Sequence, residues 1–276
     1  MTEQTPKVKA GSGFLSAVVA EKREEVAAGR RARPLARLVS ECRDRTPVRS
    51  LEAAVRLPGC GVVAEVKRAS PSAGPLAPDL VASERALLYA ERGAIAISVL
   101  TDRRFAGRIE DLLEVAGRMP VPVLRKDFLV DPWQVWESRA AGADAALLIV
   151  AALRPEEIES LAAEAETAGL GLLFEIHAPE EAERALELGA TLVGVNARDL
   201  ETLAVDVHGA LSTIGELRSA APGVALVAES GIASPAAVRS ARSAGADAVL
   251  VGEHLARAVD PGETLEQLVA AGRDGA

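Results

Sequence analysis

The chain has 276 residues, 49% of them hydrophobic and 3% aromatic, and a formal net charge of −9. The acidic charge repels a polyanionic backbone and few aromatic rings are present to stack on bases, so composition argues against nucleic-acid binding. Cys42 and Cys60 lack metal or redox spacing, which predicts a reducing compartment rather than disulfides. Without an apolar signal core or a run of 18 apolar residues, the sequence predicts a cytoplasmic protein that does not enter the membrane.

The first 60 residues predict helices only. Residues 1 to about 12 are polar and predict a frayed tail. Apolar residues then recur at helical spacing from Phe14 to Val26, Pro34 opens a shorter helix, and Ser50 can cap a third. We therefore expect a helical extension over residues 1–60, ahead of the first strand.

From Gly61 onward, short apolar strands alternate with helical segments. Strands are predicted near 62–67, 95–100, 122–126, 145–150, 172–176, 192–196, 225–229 and 248–251. Helices are predicted near 79–92, 110–118, 132–141, 155–168, 179–188, 207–220, 235–244 and 263–271. Prolines stand at several predicted helix starts and glycines at several predicted helix ends, which are the positions these residues favour.

An internal repeat supports eight units of this kind. A Gly-Ala dipeptide precedes strands 2, 4, 6 and 8, at Gly93, Gly142, Gly189 and Gly245. Near-continuous apolar strands indicate a parallel sheet covered on both faces. The fold class is therefore α/β, a single (β/α)8 TIM barrel over residues 61–276 with an N-terminal helical extension. A doubly wound open sheet is the alternative, but no Gly-x-Gly-x-x-Gly turn follows strand 1.

Charged and amide side chains stand at the carboxyl ends of the predicted strands, where barrel enzymes carry their chemistry. They are Glu65 and Lys67 on strand 1, Lys126 on strand 3, Glu175 on strand 5, Asn196 and Arg198 on strand 6, and Glu229 and Ser230 on strand 7. Each has a structural alternative, such as an ion pair between Glu65 and Lys67. Together they favour a catalytic rim, because burying unpaired charge costs several kcal/mol per ion.

Alternation along the strands assigns further roles. Arg125 and Asp127 flank Lys126 and should point toward the helices. His177 shares the parity of Glu175, and we expect it to pack or to support the site. Asp144 and Asp247 stand at the opposite strand ends, where solvation or capping would explain them. Phe105 and Phe128 follow strand ends and could form a pocket wall for an aromatic ligand.

The ends of strands 7 and 8 predict a phosphate site. Gly231 and Gly252 would let backbone N–H groups approach an anion closely, as at the usual phosphate site of barrels. Glu253 fits this site only if it offers its N–H and turns its carboxylate away. Ser70, in the loop after strand 1, could add a hydroxyl.

Several motifs together resemble the indole-3-glycerol phosphate synthase family. They are Glu65-Val-Lys67-Arg-Ala-Ser70-Pro71-Ser72, Val123-Leu-Arg-Lys126-Asp-Phe128, Asn196-Ala-Arg198-Asp-Leu and Glu229-Ser230-Gly231-Ile232. The resemblance runs from about residue 14 to 270. It implies a carbon–carbon lyase of tryptophan biosynthesis that needs no cofactor or metal, with residues 1–60 lying over the barrel mouth. Its small anionic phosphorylated substrate is 1-(2-carboxyphenylamino)-1-deoxyribulose 5-phosphate.

The resemblance also implies residue roles. Lys126 would be the general acid of ring closure, Glu175 a base or cation stabiliser, and Lys67 with Glu65 an acid–base pair for dehydration. Asn196 and Glu229 would orient the substrate or hold the lysines, and Arg198 would bind an anion. Ser230, Gly231, Gly252 and Glu253 would form the phosphate cup. The sequence departs from the family pattern at Ala73, Phe174 and His254; Phe174 should face the helices.

Two other functions stay open at this point. One is another phosphate-binding barrel enzyme, such as a phosphosugar isomerase, and the other is a non-catalytic ligand-binding barrel. A monomer or weak homodimer is expected for any of the three.

Overall fold

Eight parallel strands close into a barrel. The structure is a computed structural model that describes residues 13–43 and 45–273; the predicted tail over residues 1–12 lies outside this part. The strands are β1 (Gly61–Val66), β2 (Ala96–Leu100), β3 (Val123–Lys126), β4 (Ala145–Ile149), β5 (Gly171–Ile176), β6 (Leu192–Asn196), β7 (Ala225–Glu229) and β8 (Ala248–Val251). Each pairs in parallel with its sequence neighbours, and β1 closes the barrel by pairing with β8 in the register Gly61↔Ala248. The predicted (β/α)8 barrel is confirmed.

Helices follow the strands and cover the outside of the barrel. They are α1 (Phe14–Ala32), α2 (Leu35–Cys42), α3 (Leu51–Val55), α4 (Ala82–Glu91), α5 (Ile109–Ala116), α6 (Pro132–Ala140), α7 (Pro155–Ala168), α8 (Pro179–Glu187), α9 (Val207–Ala220), α10 (Pro235–Ala244), α11 (Glu253–Arg257) and α12 (Pro261–Arg273). Proline occupies the first position of α6, α7, α8 and α10, as predicted, because its missing N–H is not needed there. In the described part of the chain, no helix has both the length and the hydropathy that crossing a bilayer requires.

Two short elements escaped the sequence analysis. Residues 69–70 and 74–75 form a small antiparallel ribbon after β1, closed around Gly74 with a φ of 68°. Helix α11 spans only five residues directly after Gly252. Elements this short contain too few residues to show a hydrophobic period.

The strands separate two hydrophobic cores. Residues such as Val62, Ala64 and Phe174 point outward into the core between strands and helices. Val63, Leu124 and Leu173 point inward and fill the barrel. This alternation confirms that Phe174 faces the helices.

The extension covers both ends of the barrel rather than the mouth alone. Helix α1 packs Leu15 and Val18 against the inner core, and Lys22 forms ion pairs at the carboxyl ends of the strands. Helix α2 lies along α6. Helix α3 inserts Leu51 and Val55 into the same inner core, while Arg56 binds carbonyls at the opposite end of the barrel. Only α1 therefore matches the expectation that residues 1–60 lie over the mouth.

Asp144 and Asp247 join neighbouring strands at the amino ends. Asp144 accepts a 2.8 Å hydrogen bond from the backbone N–H of Val123 and binds Arg49. Asp247 accepts a 2.8 Å bond from the N–H of Leu226 and also binds Arg218. Each carboxylate thus ties its own strand to the preceding one, which explains why an aspartate recurs in the repeat better than solvation or helix capping does.

Candidate active site

A cavity of about 440 Å³ opens at the carboxyl ends of the strands. All predicted site residues except Ser70 line it: Glu65, Lys67, Phe105, Lys126, Phe128, Glu175, Asn196, Arg198, Glu229, Ser230, Gly231, Gly252 and Glu253. They come from seven different strand ends or the loops that follow, so only closure of the barrel brings them together. Ser70 is buried and instead shares a 2.9 Å hydrogen bond with Ser72.

Lys126 lies between two carboxylates in this cavity. Its Nζ donates a 2.7 Å hydrogen bond to Glu175 Oε2 and lies 3.2 Å from Glu229 Oε2. Both glutamates are almost fully buried, at 1% and 2% exposure. Lys126, Glu175 and Glu229 end β3, β5 and β7, so their side chains converge on one side of the barrel axis. A single ammonium cannot fully compensate two buried carboxylates, so the two must share protons unequally.

The surroundings push the pKa values of these groups apart. Burial would lower the pKa of Lys126, but Glu175 and Glu229 outweigh it and raise the pKa well above its usual range. Burial would raise the pKa of Glu175, yet Lys126 and His177 hold it well below. For Glu229, burial together with the Glu175 charge outweighs Lys126 and raises the pKa to about 8. Lys126 is therefore charged, Glu175 is ionised and Glu229 is the carboxyl that holds a proton near neutral pH.

Glu65 and Lys67 form an ion pair at the end of β1. Lys67 Nζ lies 3.4 Å from Glu65 Oε1 and 5.2 Å from the centre of the Phe105 ring, a cation–π distance. Ser98 donates a 3.4 Å hydrogen bond to the other oxygen of Glu65. The ion pair that the sequence allowed is therefore present, and it lines the cavity rather than serving only stability.

Two glycines make room for the carboxylates. A Cβ on Gly194, in the middle of β6, would overlap Glu229 Oε1, and one on Gly252 would overlap Glu65 Oε1. Gly252 was predicted only to let the backbone approach a phosphate, and Gly194 was not among the predicted site residues. A glycine inside a predicted strand was the available signal, because it commonly marks a close approach.

The turn after β7 has an unusual backbone. Ser230 and Gly231 adopt φ values of 63° and 72°, in the left-handed region. Glycine accepts this conformation freely, whereas serine does so at a cost and is held there by its surroundings. A Cβ on Gly231 would also overlap Val207 Cγ2. The turn lines the same cavity as Gly252 and Glu253, the first residue of α11, and the phosphate site there stays a prediction.

Arg198 and Glu253 lie at this end of the cavity. Asn196 Oδ1 accepts a 3.0 Å bond from the backbone N–H of Arg198, which orders the loop after β6. The Arg198 guanidinium lies 3.8 Å from Glu253 Oε2, and Glu253 Oε1 accepts a 3.0 Å bond from Arg257. The Glu253 carboxylate thus contacts two arginines that line the same cavity, so it stays beside the predicted phosphate site instead of turning away as predicted; its backbone N–H begins α11.

An apolar wall faces the charged groups. Phe105 and Phe128 contribute to it as predicted, together with residues that sequence analysis did not name: Leu147, Ile149, Leu200 and Leu250. Alternation of side chains along β4 and β8 could have predicted that Leu147, Ile149 and Leu250 point into the barrel. His254, one of the departures from the family pattern, also lines the cavity.

Of the two residues that flank Lys126, both predicted to point toward the helices, Asp127 instead lines the cavity and pairs with Lys22 of α1. Arg125 points outward, where it lies 2.9 Å from Asp127 Oδ2 and 2.9 Å from Glu137 Oε2 on α6. His177 lies against Glu175, with 3.3 Å between its Nε2 and Glu175 Oε1. Over residues 13–43 and 45–273, no group of three or more His, Cys, Asp or Glu side chains is placed to hold a metal ion.

The fold and site define an enzyme of the (β/α)8 barrel class, with paired lysines and carboxylates at the strand ends and glycine-rich turns after β7 and β8. The sequence model of the family described as indole-3-glycerol phosphate synthase matches residues 15–268. The chain belongs to that family.

Curated relatives agree over nearly the whole chain. Indole-3-glycerol phosphate synthase of Mycolicibacterium smegmatis is 46% identical over 263 residues, covering 94% of each chain. The enzyme of the same name from Saccharopolyspora erythraea is 44% identical and covers 94% of this chain and 95% of its own. These matches favour the family function over a phosphosugar isomerase or a non-catalytic barrel.

Solved structures support the fold alone. A 3-hexulose-6-phosphate synthase superposes with a TM-score of 0.62 at 19% identity, covering 76% of this chain and 99% of its own. A thiamine phosphate pyrophosphorylase from Pyrococcus furiosus gives 0.58 at 20% identity, covering 80% and 97%.

Proposed function

We propose that this chain converts 1-(2-carboxyphenylamino)-1-deoxyribulose 5-phosphate into indole-3-glycerol phosphate, carbon dioxide and water. The aromatic carbon that bears the carboxylate attacks the ribulose carbonyl, carbon dioxide leaves, and loss of water completes the pyrrole ring. The single observation that carries the proposal is Lys126, held between Glu175 and Glu229 on the floor of an open cavity. Family membership over residues 15–268 supports the same reaction.

Lys126 is the general acid of ring closure in this proposal. The carbonyl becomes electrophilic as it accepts a proton, and a lysine kept charged by two carboxylates supplies one. As the new bond forms, positive charge develops on the anilino nitrogen. The buried Glu175 carboxylate, ionised and fixed, stabilises that charge without reorganising.

Lys67 and Glu65 serve the dehydration step. The hydroxyl leaves as water when it gains a proton, which Lys67 can donate, and the ring becomes aromatic when a methylene proton is removed, which Glu65 can accept. The two groups lie 3.4 Å apart and both line the cavity. Two protons are donated and one is withdrawn in the full reaction, so each turnover consumes one proton when the substrate carboxylate is ionised.

The cavity offers separate places for the two ends of the substrate. The turn at Ser230 and Gly231, with Gly252 and the N–H of Glu253, would receive the phosphate, and Arg198 would add charge. The phenyl ring would lie along the wall that includes Phe105 and Phe128. Asn196 would orient the ribulose chain, and Ser70 would reach the phosphate end only if the loop after β1 moves.

The direct test is to mix the purified protein with this substrate and follow indole fluorescence. Product should accumulate, and its absence at high enzyme concentration would refute the assignment. Lys126→Ala should lower kcat by about 10²-fold or more while substrate still binds. Near-normal turnover in that variant would show that another group is the acid. The control for this variant is Arg154→Ala, because Arg154 is exposed at the start of α7. Arg125→Lys is not a suitable control, because Arg125 is buried and forms ion pairs of its own.

The remaining expectations extend the proposal. The chemistry is carried by lysine and glutamate side chains of the chain itself, without a cofactor, in the cytoplasm. A monomer or weak homodimer is expected, and sedimentation at several protein concentrations tests it. A stable higher oligomer would contradict that expectation.

A further inference from the structure

Glu175 contacts a second nitrogen group, the ring of His177, through the carboxylate oxygen that Lys126 does not bind. His177 follows it by two residues, so both side chains leave the same face of the chain at the end of β5. His177 Nε2 lies 3.3 Å from Glu175 Oε1, while Lys126 Nζ binds the other oxygen, Oε2, at 2.7 Å. The Glu175 carboxylate is therefore held between two nitrogen groups, one in the cavity and one behind it.

The second ring nitrogen of His177 faces another carboxylate. Its Nδ1 lies 3.5 Å from Oε2 of Glu181 on the first turn of α8. The same Glu181 oxygen accepts a 2.8 Å hydrogen bond from the backbone N–H of His177, which fixes the position of this pair. The His177 side chain is 12% exposed and that of Glu181 is 20% exposed, so the contacts run from the buried Glu175 toward the surface.

Both ring nitrogens are buried within 3.3–3.5 Å of a carboxylate oxygen, and this arrangement favours a charged ring. A neutral imidazole carries one N–H and one lone pair, so it would present a lone pair to one of the two carboxylates. Only the doubly protonated imidazolium is attractive to both. Burial would lower the pKa of His177, but Glu175 and Glu181 outweigh it and raise the pKa to about 10.

The two carboxylates in contact with this ring favour the cation. Glu175 on β5 and Glu181 on α8 are in contact with it. Asp199, in the loop after β6, has a lowered pKa, chiefly because Thr202 donates hydrogen bonds to it and in part through the charge of His177. Lys126 acts on the opposite side of Glu175, which separates the two cations.

We propose that His177 is a positioning residue: an imidazolium, anchored by Glu181, that keeps Glu175 ionised and oriented behind Lys126. Its charge also adds to the difference between the two carboxylates beside Lys126. Glu175 contacts both cations and stays ionised, whereas Glu229 contacts Lys126 alone and takes the proton. Without His177 the two carboxylates would differ only in their distances from Lys126, 2.7 Å for Glu175 and 3.2 Å for Glu229. The inference concerns how the proposed function is carried out, but its first test does not depend on that function.

The first test is the charge of the ring itself. The chain contains three histidines, so a His177→Gln variant assigns the His177 signals in ¹⁵N NMR spectra by difference. We expect both ring nitrogens of His177 to be protonated at pH 8. Glu181→Gln should lower the measured pKa of His177 by about one unit or more, because it removes one of two carboxylates in contact. A ring that is neutral at pH 7, or a pKa unmoved by Glu181→Gln, would overturn the proposal even if the protein had another activity.

The second test uses turnover of the ribulose phosphate substrate. In His177→Gln, loss of the cation should raise the apparent pKa on the acidic side of the kcat/KM profile by about one unit. At a pH below this apparent pKa, the ionised fraction of Glu175 in His177→Gln is about tenfold smaller than in the parent, and kcat/KM falls by the same factor. His208→Gln, on the exposed start of α9, is the matched control and should leave the profile in place. Lower activity with an unmoved profile would mean that His177 is only structural, and would contradict the proposal.

Discussion

The Lys22 ammonium of α1 lies 3.0 Å from the carboxylate of Asp127, the residue that directly follows Lys126. The same Nζ lies 2.7 Å from Asp102 Oδ2, after β2, and both carboxylates are buried. Burial would lower the pKa of Lys22, but Asp127 and Asp102 outweigh it and raise it. The N-terminal helix is thus joined to the strand end that carries the proposed acid by a buried ion pair.

Replacing Lys22 should therefore destabilise the protein strongly. Lys22→Met leaves Asp127 and Asp102 buried with one partner fewer, and breaking a buried pair in this way costs about 3 kcal/mol of unfolding free energy. Urea unfolding of the variant and the parent measures the difference. Arg23→Met is the matched control, because Arg23 is half-exposed and pairs with Glu157 at the surface, a contact that contributes about 0–1 kcal/mol. Equal effects of the two substitutions would show that the buried pair adds nothing special.

Glu229 should make stability depend on pH. Its pKa is raised from 4.5 to about 8, so the folded protein favours the neutral carboxyl. The stability that this group contributes is full below about pH 4.5 and is lost as the pH rises through 8. The Glu229→Gln variant resembles the neutral form at all pH values. Relative to this variant, the parent should lose unfolding free energy between pH 5 and pH 8, measured by urea unfolding at each pH; a difference that stays constant would contradict the raised pKa.

Gly194→Ala should damage the site although it replaces no charged residue. The new methyl group would occupy the position of Glu229 Oε1 and displace that carboxyl from Lys126. A shift of about 1 Å in a catalytic group can cost about 10²-fold in rate, which is the loss expected in kcat/KM. Gly215→Ala, inside α9, is the control: its Cβ meets only ordinary contacts, and alanine favours a helix. If Gly194→Ala kept full activity, the close fit between Gly194 and Glu229 would not matter for catalysis.

Glu253→Gln should strengthen phosphate binding. The Glu253 carboxylate lies 3.8 Å from Arg198 and beside the proposed phosphate site, so its charge opposes that of the incoming anion. The neutral amide should lower the inhibition constant of inorganic phosphate and the KM of the substrate by a few-fold. Glu266→Gln, which breaks a surface pair with Arg92, serves as the control. Weaker phosphate binding in Glu253→Gln would indicate that Glu253 positions Arg198 rather than competing for it.

Much of the fold follows from local patterns. The strands β1 to β8 lie within one or two residues of their predicted positions. Their signal, an apolar run bounded by glycine or proline, is local and can be recognised from consecutive residues. The inward direction of Lys126 and Glu175 follows equally from alternation along a strand. The resemblance to a family supplied their proposed roles, which alternation alone could not.

Other features depend on contacts between distant parts of the chain. Nothing in the pattern of residues 1–60 indicates that α1 packs at the barrel mouth while α3 packs at the opposite end. The role of Gly194 appears only when Glu229 arrives from the next strand, 35 positions later in numbering.

Composition and hydrophobic period were sufficient to predict an α/β barrel and the edge where its charged side chains lie, since both depend on the order of residues along each strand. The protonation states of Glu175 and Glu229 at that edge depend on the tertiary structure. Glu175 and Glu229 are the same residue type at equivalent strand ends, yet one contacts both Lys126 and His177 and the other contacts Lys126 alone. Their pKa values separate because electrostatic energy depends on burial and on distances through space, and neither quantity is encoded in the neighbours of a residue along the chain.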